Sequence, residues 1–341
     1  MSESKSMILG CSGPVLTADE KAFFADERPW AFIVFARNVV DRNQLSDLCA
    51  SLRETVGRQD ALVFVDQEGG RVQRLRPPLA PRYPTATRLG LLEEEREGSG
   101  ARAAWLMGRL HAFDLRRCGL TANCIPCLDL PPERGAGFVG DRTFSSRREH
   151  VEALGKAMAE GSIAGGVLPV MKHIPGHGRA YADSHLELPR VSASLEELRA
   201  SDFAPFFFLT TTVPMAMTAH VVYDAIDPSG PATTSATVIN DIIRHDILFD
   251  GLLMSDDLSM KALSGDFASR TSASLEAGCD VVLHCNGDMD EMRAIAGAAV
   301  ELAGRPAERA GHAMSMLVEP DDAHEETLRE EFAELTAAAA V

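Results

Sequence analysis

The sequence predicts an α/β protein built as a single (β/α)8 barrel. Eight short apolar runs rich in β-branched residues recur along the chain, and continuous apolar character is typical of strands buried on both faces. Most of these runs are followed by a stretch with helical periodicity, which favours parallel strands joined by helices. Polar residues cluster directly after the runs, where the C-terminal ends of barrel strands would meet. A doubly wound open sheet is the structural alternative.

The elements follow one another in a regular order. The candidate strands are residues 7–13, 30–35, 61–66, 121–130, 166–173, 213–220, 251–255 and 279–284. The candidate helices are residues 41–56, 101–118, 147–164, 194–209, 236–247 and 267–277. Ser194 and Glu197 form the pattern of an N-terminal capping box. We expect one catalytic domain over 1–341, with 319–341 as a helical extension and 325–340 as a solvated helix.

Composition limits the class of protein. The chain has 341 residues, of which 45% are apolar, and its net charge of −17 argues against nucleic acid or an anionic membrane as partner. No run approaches the ~18 apolar residues of a membrane span, and residues 1–13 lack the apolar segment of a signal peptide. Seven cysteines, an odd number mostly in apolar runs, predict reduced thiols and a cytoplasmic protein.

The densest motif is KHIPGHG, residues 172–178. His173 and His177 have the i, i+4 spacing of a zinc-binding helix, but Pro175 and Gly176 between them disfavour a helix and therefore zinc. A loop leaving the fifth strand fits better, with Lys172 and His173 at the barrel mouth.

The same loop continues to Asp183-Ser184-His185. In an extended segment residues two apart point to one side, so the carboxylate can orient the imidazole and leave its other nitrogen to move protons. A plain surface turn is the alternative interpretation.

Paired carboxylates, Asp256 and Asp257, end the seventh apolar run. At a barrel mouth such a carboxylate serves as nucleophile, metal ligand or charge stabiliser. We expect one of the two to cap the next helix.

Two further segments bring charged residues to strand ends. In DQEGGRVQRL, Asp66 with Arg74 folding back predicts a clamp on polyhydroxy groups, and GDRTF supplies Arg142. Cys124 and Cys127 form a C-x-x-C within a strand-like run, which favours buried structural thiols over redox chemistry.

Together these segments resemble glycoside hydrolase family 3, in its single-domain β-N-acetylglucosaminidase form. The resemblance covers roughly residues 7–300 and depends on KHIPGHG with ADSH, SDDLSM, DQEGGRVQRL, GDRTF, AMTAHVVY and CDVVLHCNGD. Arg179-Ala180-Tyr181 departs from it, because many relatives carry an acidic residue there. The resemblance implies Asp256 as nucleophile, His185 as acid/base oriented by Asp183, and sugar-binding roles for five residues: Asp66, Arg74, Arg142, Lys172 and His173.

The resemblance also implies the substrate. It would be N-acetylglucosamine β-1,4-linked to anhydro-N-acetylmuramic acid, with or without peptide, cleaved during cytoplasmic cell-wall recycling by a monomer without metal or cofactor. The alternatives are a broader β-hexosaminidase, a glycoside phosphorylase, a Schiff-base lyase using Lys172, and a catalytically silent sugar-binding protein.

Overall fold

A computed structural model describes residues 4–132, 139–180 and 188–337. Eight parallel strands close into a barrel in which each strand pairs with its neighbours in chain order and the last pairs with the first. The barrel prediction is therefore confirmed. The strands are β1 Lys5–Gly10, β2 Pro29–Val34, β3 Val63–Val65, β4 Ala122–Asn123, β5 Leu168–Ile174, β6 Met215–Thr218, β7 Leu252–Asp257 and β8 Val281–His284.

Helices surround the barrel. They are α1 Ala18–Glu27, α2 Arg42–Thr55, α3 Ala86–Glu95, α4 Ser99–Arg116, α5 Arg148–Ala164, α6 Leu195–Ala200, α7 Ala204–Leu209, α8 Phe267–Ala277, α9 Met289–Ala298, α10 Gly304–Ser315 and α11 Glu325–Ala337. Four of these helices were not predicted from the sequence: α1, α3, α9 and α10. The predicted helix 236–247 is π-helical over Val238–Asp246, with the Ile247 amide donating to the Ile242 carbonyl five residues earlier.

The predicted helix 194–209 is wrong as one continuous element. Its start is right, because Ser194 and Glu197 form the capping box. The helix ends at Ala200 and a new one begins at Ala204, with Pro205 in its first turn. A proline lacks the amide hydrogen that a helix interior needs, so this position suits a helix start and not its middle.

The barrel interior is apolar and closed at its N-terminal end. Side chains such as Phe64, Met215 and Leu252 fill it, and Ala310 and Ala313 of α10 pack against the same cluster. Helix α10 covers the N-terminal ends of the strands. The polar residues at the C-terminal ends of the strands therefore lie at the opposite, open end of the barrel.

A buried carboxylate stabilises the strand starts. Asp280 is almost fully buried before β8 and accepts hydrogen bonds from Arg244 (2.8 Å), Arg309 (2.9 Å) and the Leu253 amide (2.8 Å). Both guanidinium groups would lose a buried partner without it, so its role is structural.

Residues 325–337 are helical as expected, but the expectation of a solvated helix is wrong. Leu328 and Phe332 of α11 are buried, and ion pairs join residues 319–331 to α4 and to Arg117 directly after it. These pairs are Arg102–Glu331, Arg109–Asp321, Arg116–Glu319, Arg117–Glu325 and Asp114–Arg329. Asp114 is buried and also accepts from the Tyr83 hydroxyl at 2.5 Å.

We expect Arg329→Met to lower the free energy of unfolding by roughly 2–4 kcal/mol. The substitution leaves Asp114 buried with one partner fewer, and breaking a buried pair typically costs ~3–5 kcal/mol. The matched control is Arg102→Met, which removes a pair exposed on both sides and should cost less than about 1 kcal/mol. Urea unfolding measures both, and equal losses would contradict this account of the docked helix.

Two further observations concern the cysteines and the helices. All seven cysteines are free thiols, and six of them are buried. Among residues 4–132, 139–180 and 188–337, no helix combines the length and apolar character needed to span a bilayer.

Candidate active site

A cavity of about 190 Å³ opens at the C-terminal ends of the barrel strands. It is smaller than the ~300–1,000 Å³ of drug-sized ligand pockets, so it suits a single small polar molecule. Six of the eight predicted site residues line it: Asp66, Arg74, Arg142, Lys172, His173 and Asp256. They lie at the ends of four barrel strands or in the segments after them, β3, β4, β5 and β7, and closure of the barrel brings them together.

Four of these residues form an ion network with Glu68. The Lys172 ammonium lies between Asp66 Oδ1 (2.8 Å) and Glu68 Oε1 (2.6 Å) and is almost fully buried. Arg142 donates two hydrogen bonds of 2.8 Å to the Glu68 carboxylate, and Arg74 lies 3.1 Å from Asp66 Oδ2. The network fixes both donors and acceptors at the cavity wall.

The network keeps its members charged. Burial alone would raise the pKa of each carboxyl, but Lys172 and Arg74 hold the pKa of Asp66 well below its usual range. Arg142 and Lys172 lower the pKa of Glu68 to about 2. Although burial opposes it, the two carboxylates raise the pKa of Lys172 well above its ordinary value. The side chain of Lys172 is therefore an ammonium at neutral pH.

A tight hairpin places Arg74 against Asp66. Gln67–Gly69 pairs antiparallel with Val72–Gln73, and Gly69, which ends the first strand, and Gly70, which follows it, have φ of 104° and 53°. Both values lie in the left-handed region that favours glycine. A Cβ on Gly69 would also lie 2.3 Å from the Pro84 carbonyl oxygen. The glycine pair therefore turns the chain.

Asp256 and Asp257 have different surroundings. Asp257 accepts from the Ser259 amide (3.0 Å), the Ser259 hydroxyl (2.6 Å) and the Cys285 amide (3.2 Å). The expectation that one of the pair caps the next helix is wrong, because α8 begins at Phe267 with Asp266 as its N-cap. Asp256 accepts the Asp257 amide at 2.8 Å and faces the cavity.

The Asp256 carboxylate is kept ionised by its neighbours. Burial alone would raise its pKa, but His220, His173, the Asp257 amide and Lys172 lower it below the ordinary value. Burial also lowers the pKa of His220, so its imidazole is neutral at neutral pH, whereas the Asp257 amide and the Lys172 ammonium still stabilise the carboxylate there.

His173 is fixed by Asp129, a fully buried residue beyond β4. Its Nδ1 lies 2.6 Å from Asp129 Oδ2, and its Nε2 lies 3.5 Å from Arg142 Nη2. The backbone amides of His173 and His177 also donate to Asp129 Oδ1. Burial and the neighbouring His173 lower the pKa of His177 to about 4, so its imidazole is neutral at neutral pH.

Asp183 and His185 lie outside the described residues, in 181–187. The turn before them is anchored to three parts of the fold. The Tyr223 hydroxyl donates to the Gly176 carbonyl (2.6 Å), and Arg179 donates to the buried Asp202 (2.6 Å). At Gly178 a Cβ would lie 1.6 Å from the Leu130 carbonyl oxygen.

Two residues of the site, Glu68 and Asp129, were not predicted from the sequence as site residues. Glu68 pairs with Arg142, 74 positions along the chain, and Asp129 pairs with His173, 44 positions along, so neither pair is visible as a local sequence pattern. A signal was available, since buried cations such as Lys172 and Arg142 require carboxylates nearby.

Within the part of the chain that the structure describes, one group of side chains has the composition of a metal site. Cys127, Asp129 and His173 bring their donor atoms within 4.8 Å of one another. These atoms already bond among themselves, with Cys127 Sγ 3.3 Å from Asp129 Oδ2. A metal ion would have to displace the proton between Asp129 and His173.

Comparison with known proteins identifies the class. The family model "Glycosyl hydrolase family 3 N terminal domain" matches residues 15–312. A beta-hexosaminidase of Pseudomonas aeruginosa is 41% identical over 283 residues, 82% of each chain, and one of Methylococcus capsulatus is 40% identical over 278 residues, 80% of each. The crystal structure of NagZ from Neisseria gonorrhoeae in complex with N-trifluoroacetyl-D-glucosamine superposes with a TM-score of 0.88 at 31% identity, covering 99% of both chains.

The barrel, its charged mouth and these relatives define a glycoside hydrolase. The chain belongs to glycosyl hydrolase family 3. The resemblance drawn from the sequence motifs is thereby confirmed at the level of the family.

Proposed function

We propose that the chain is a retaining exo-β-N-acetylglucosaminidase in which Asp256 forms a covalent glycosyl intermediate. The observation that carries the proposal is the contrast between the two adjacent carboxylates. Both carboxylates line the cavity, but Asp257 is occupied by three hydrogen bonds, from the Ser259 amide, the Ser259 hydroxyl and the Cys285 amide, whereas Asp256 accepts the Asp257 amide. An ionised carboxylate in that position is suited to attack an anomeric carbon.

The ion network is proposed to bind the sugar. A pyranose presents hydroxyl groups that both donate and accept, so a wall of fixed carboxylates and cations matches it on each edge. We assign Asp66, Lys172 and Arg74 to one edge of the ring, and Arg142 and His173 to the other. The proposed preference for an N-acylated glucosamine is supported by the name beta-hexosaminidase of the two relatives and by N-trifluoroacetyl-D-glucosamine, the ligand of the Neisseria structure.

His185, oriented by Asp183, is proposed as the general acid and base. Protonated His185 gives its proton to the leaving oxygen while Asp256 attacks the anomeric carbon. Neutral His185 then takes a proton from water, which attacks the same carbon with overall retention. An unperturbed histidine pKa of ~6.5 allows both protonation states near neutrality.

The proposed natural substrate is N-acetylglucosamine β-1,4-linked to anhydro-N-acetylmuramic acid, in cytoplasmic cell-wall recycling. A broader β-hexosaminidase or a phosphorylase would use the same intermediate. Product analysis in phosphate buffer separates hydrolysis from phosphorolysis. Free N-acetylglucosamine indicates hydrolysis, and its 1-phosphate indicates phosphorolysis. A Schiff-base lyase is disfavoured because Lys172 is held as an ammonium between two carboxylates and has no free electron pair.

The test is covalent trapping with a 2-acetamido-2-deoxy-5-fluoro-glucosyl fluoride followed by peptide mass spectrometry. We expect one label, on Asp256, with loss of activity at the same rate. A label on Asp257 would overturn the nucleophile assignment. No label, together with no release from an aryl N-acetylglucosaminide, would overturn the function and leave a silent sugar-binding protein. The Asp256→Asn variant is the control and should remain unlabelled.

A further inference from the structure

Asp129 has no direct route to a substrate. Its side chain is fully buried. One carboxylate oxygen contacts His173 Nδ1 (2.6 Å), and the other accepts the amides of His173 (3.2 Å) and His177 (2.7 Å). The Cys127 thiol also lies 3.3 Å from Asp129 Oδ2, but of these partners it is the two histidines that line the cavity. An effect of Asp129 on catalysis is therefore expected to pass through His173 and His177.

These contacts decide which ring nitrogen of His173 carries the proton. An ionised carboxylate only accepts hydrogen bonds, so Nδ1 must be the protonated nitrogen. The opposite nitrogen, Nε2, lies 3.5 Å from Arg142 Nη2 at the cavity wall. A guanidinium has donors and no acceptor, so a lone pair on Nε2 suits this neighbour and a second hydrogen does not.

We propose that Asp129 is a positioning residue that holds His173 as its Nδ1–H tautomer. His173 then presents an acceptor to a sugar hydroxyl beside the Arg142 donor. The same carboxylate accepts the His177 amide, which fixes the position of the turn before residues 181–187 relative to the sugar site. This inference rests on the proposed function only in naming the ligand as a sugar.

The variant that tests the tautomer is Asp129→Asn. Asparagine keeps the shape, and its oxygen still accepts the two backbone amides. Its NH₂ group, however, donates to Nδ1 and moves the His173 proton to Nε2, where it faces the Arg142 donor. We expect kcat/KM on an aryl N-acetylglucosaminide to fall about 10–100-fold. This is the range for losing the carboxylate that orients a metal-bound histidine, and Asp129 orients His173 in the same way.

The readout that a purely structural role would not move is the ¹⁵N NMR signature of the His173 ring. In uniformly histidine-labelled protein, the His173 signals are those missing from His173→Gln. We expect the Nδ1–H pattern in the native enzyme and the Nε2–H pattern in Asp129→Asn. The matched control is Asp280→Asn, a buried carboxylate with a similar set of donors at the other end of the barrel. It should lower the Tm and leave kcat/KM and the His173 pattern unchanged.

Three results would overturn the inference. The first is an Nε2–H pattern in the native enzyme, a measurement that does not depend on whether Asp129→Asn folds. The second is an unchanged His173 pattern in Asp129→Asn, and the third is a changed pattern with native kcat/KM. Failure of the proposed function is recognised separately, because the native enzyme would then release nothing from the aryl glycoside while its tautomer could still be read.

Discussion

Replacing Asp256 with asparagine is expected to lower kcat on a natural N-acetylglucosamine disaccharide by at least about 10⁴-fold. The amide has no negative charge with which to attack the anomeric carbon, so the covalent route is closed. This loss should exceed the ~10²–10⁴-fold that removal of an acid/base typically costs. Substrate binding should change much less, because the network around Lys172 does not include Asp256.

Asp257→Asn is the matched control, since it makes the same chemical change one residue away. Asp257 holds the Ser259 turn and the Cys285 amide, so we expect a lower Tm and a smaller loss of kcat. Asp256→Ala gives a second, independent measurement. With azide and an activated aryl glycoside it should form the α-glycosyl azide, because azide enters from the vacated side. A folded Asp257→Asn that loses more kcat than Asp256→Asn would refute the assignment.

His185→Ala is expected to lower kcat on the natural disaccharide by about 10²–10⁴-fold. The loss should shrink to less than about tenfold on an aryl glycoside whose phenolate leaves without protonation. This dependence on the leaving group is the expected signature of an acid, because protonation matters only when the departing oxygen is basic. The measurement is a series of aryl N-acetylglucosaminides of increasing phenol pKa, assayed across pH 5–9.

A histidine far from the cavity controls for loss of an imidazole in general. His245 is mostly exposed on the π-helix, so His245→Ala should retain native kinetics for every leaving group. Asp183→Asn should give the same leaving-group trend as His185→Ala with smaller losses. Full activity of His185→Ala on the natural disaccharide would remove His185 from the mechanism.

Much of the fold could be predicted from the sequence. Each of the eight apolar runs overlaps one barrel strand, because a strand buried on both faces must be apolar along its length. The N-cap at Ser194 and the bounds of the helix Phe267–Ala277 were also predicted correctly, because they too depend on residues close together in the sequence. The motif residues Lys172, His173 and Asp256 lie at the barrel mouth because each is at the C-terminal end of a parallel strand.

The sequence by itself therefore determined the barrel, its open end and the residue types offered there, since these depend on spacings of a few residues. Tertiary structure decided the partners. Glu68 holds Arg142, Asp129 holds His173, and α11 docks on α4. Both members of the carboxylate pair line the cavity, but Asp257 is engaged in three hydrogen bonds and Asp256 accepts one, from the Asp257 amide. Such pairings depend on strand register and on which buried charge is nearest after closure, and no local pattern encodes these distances.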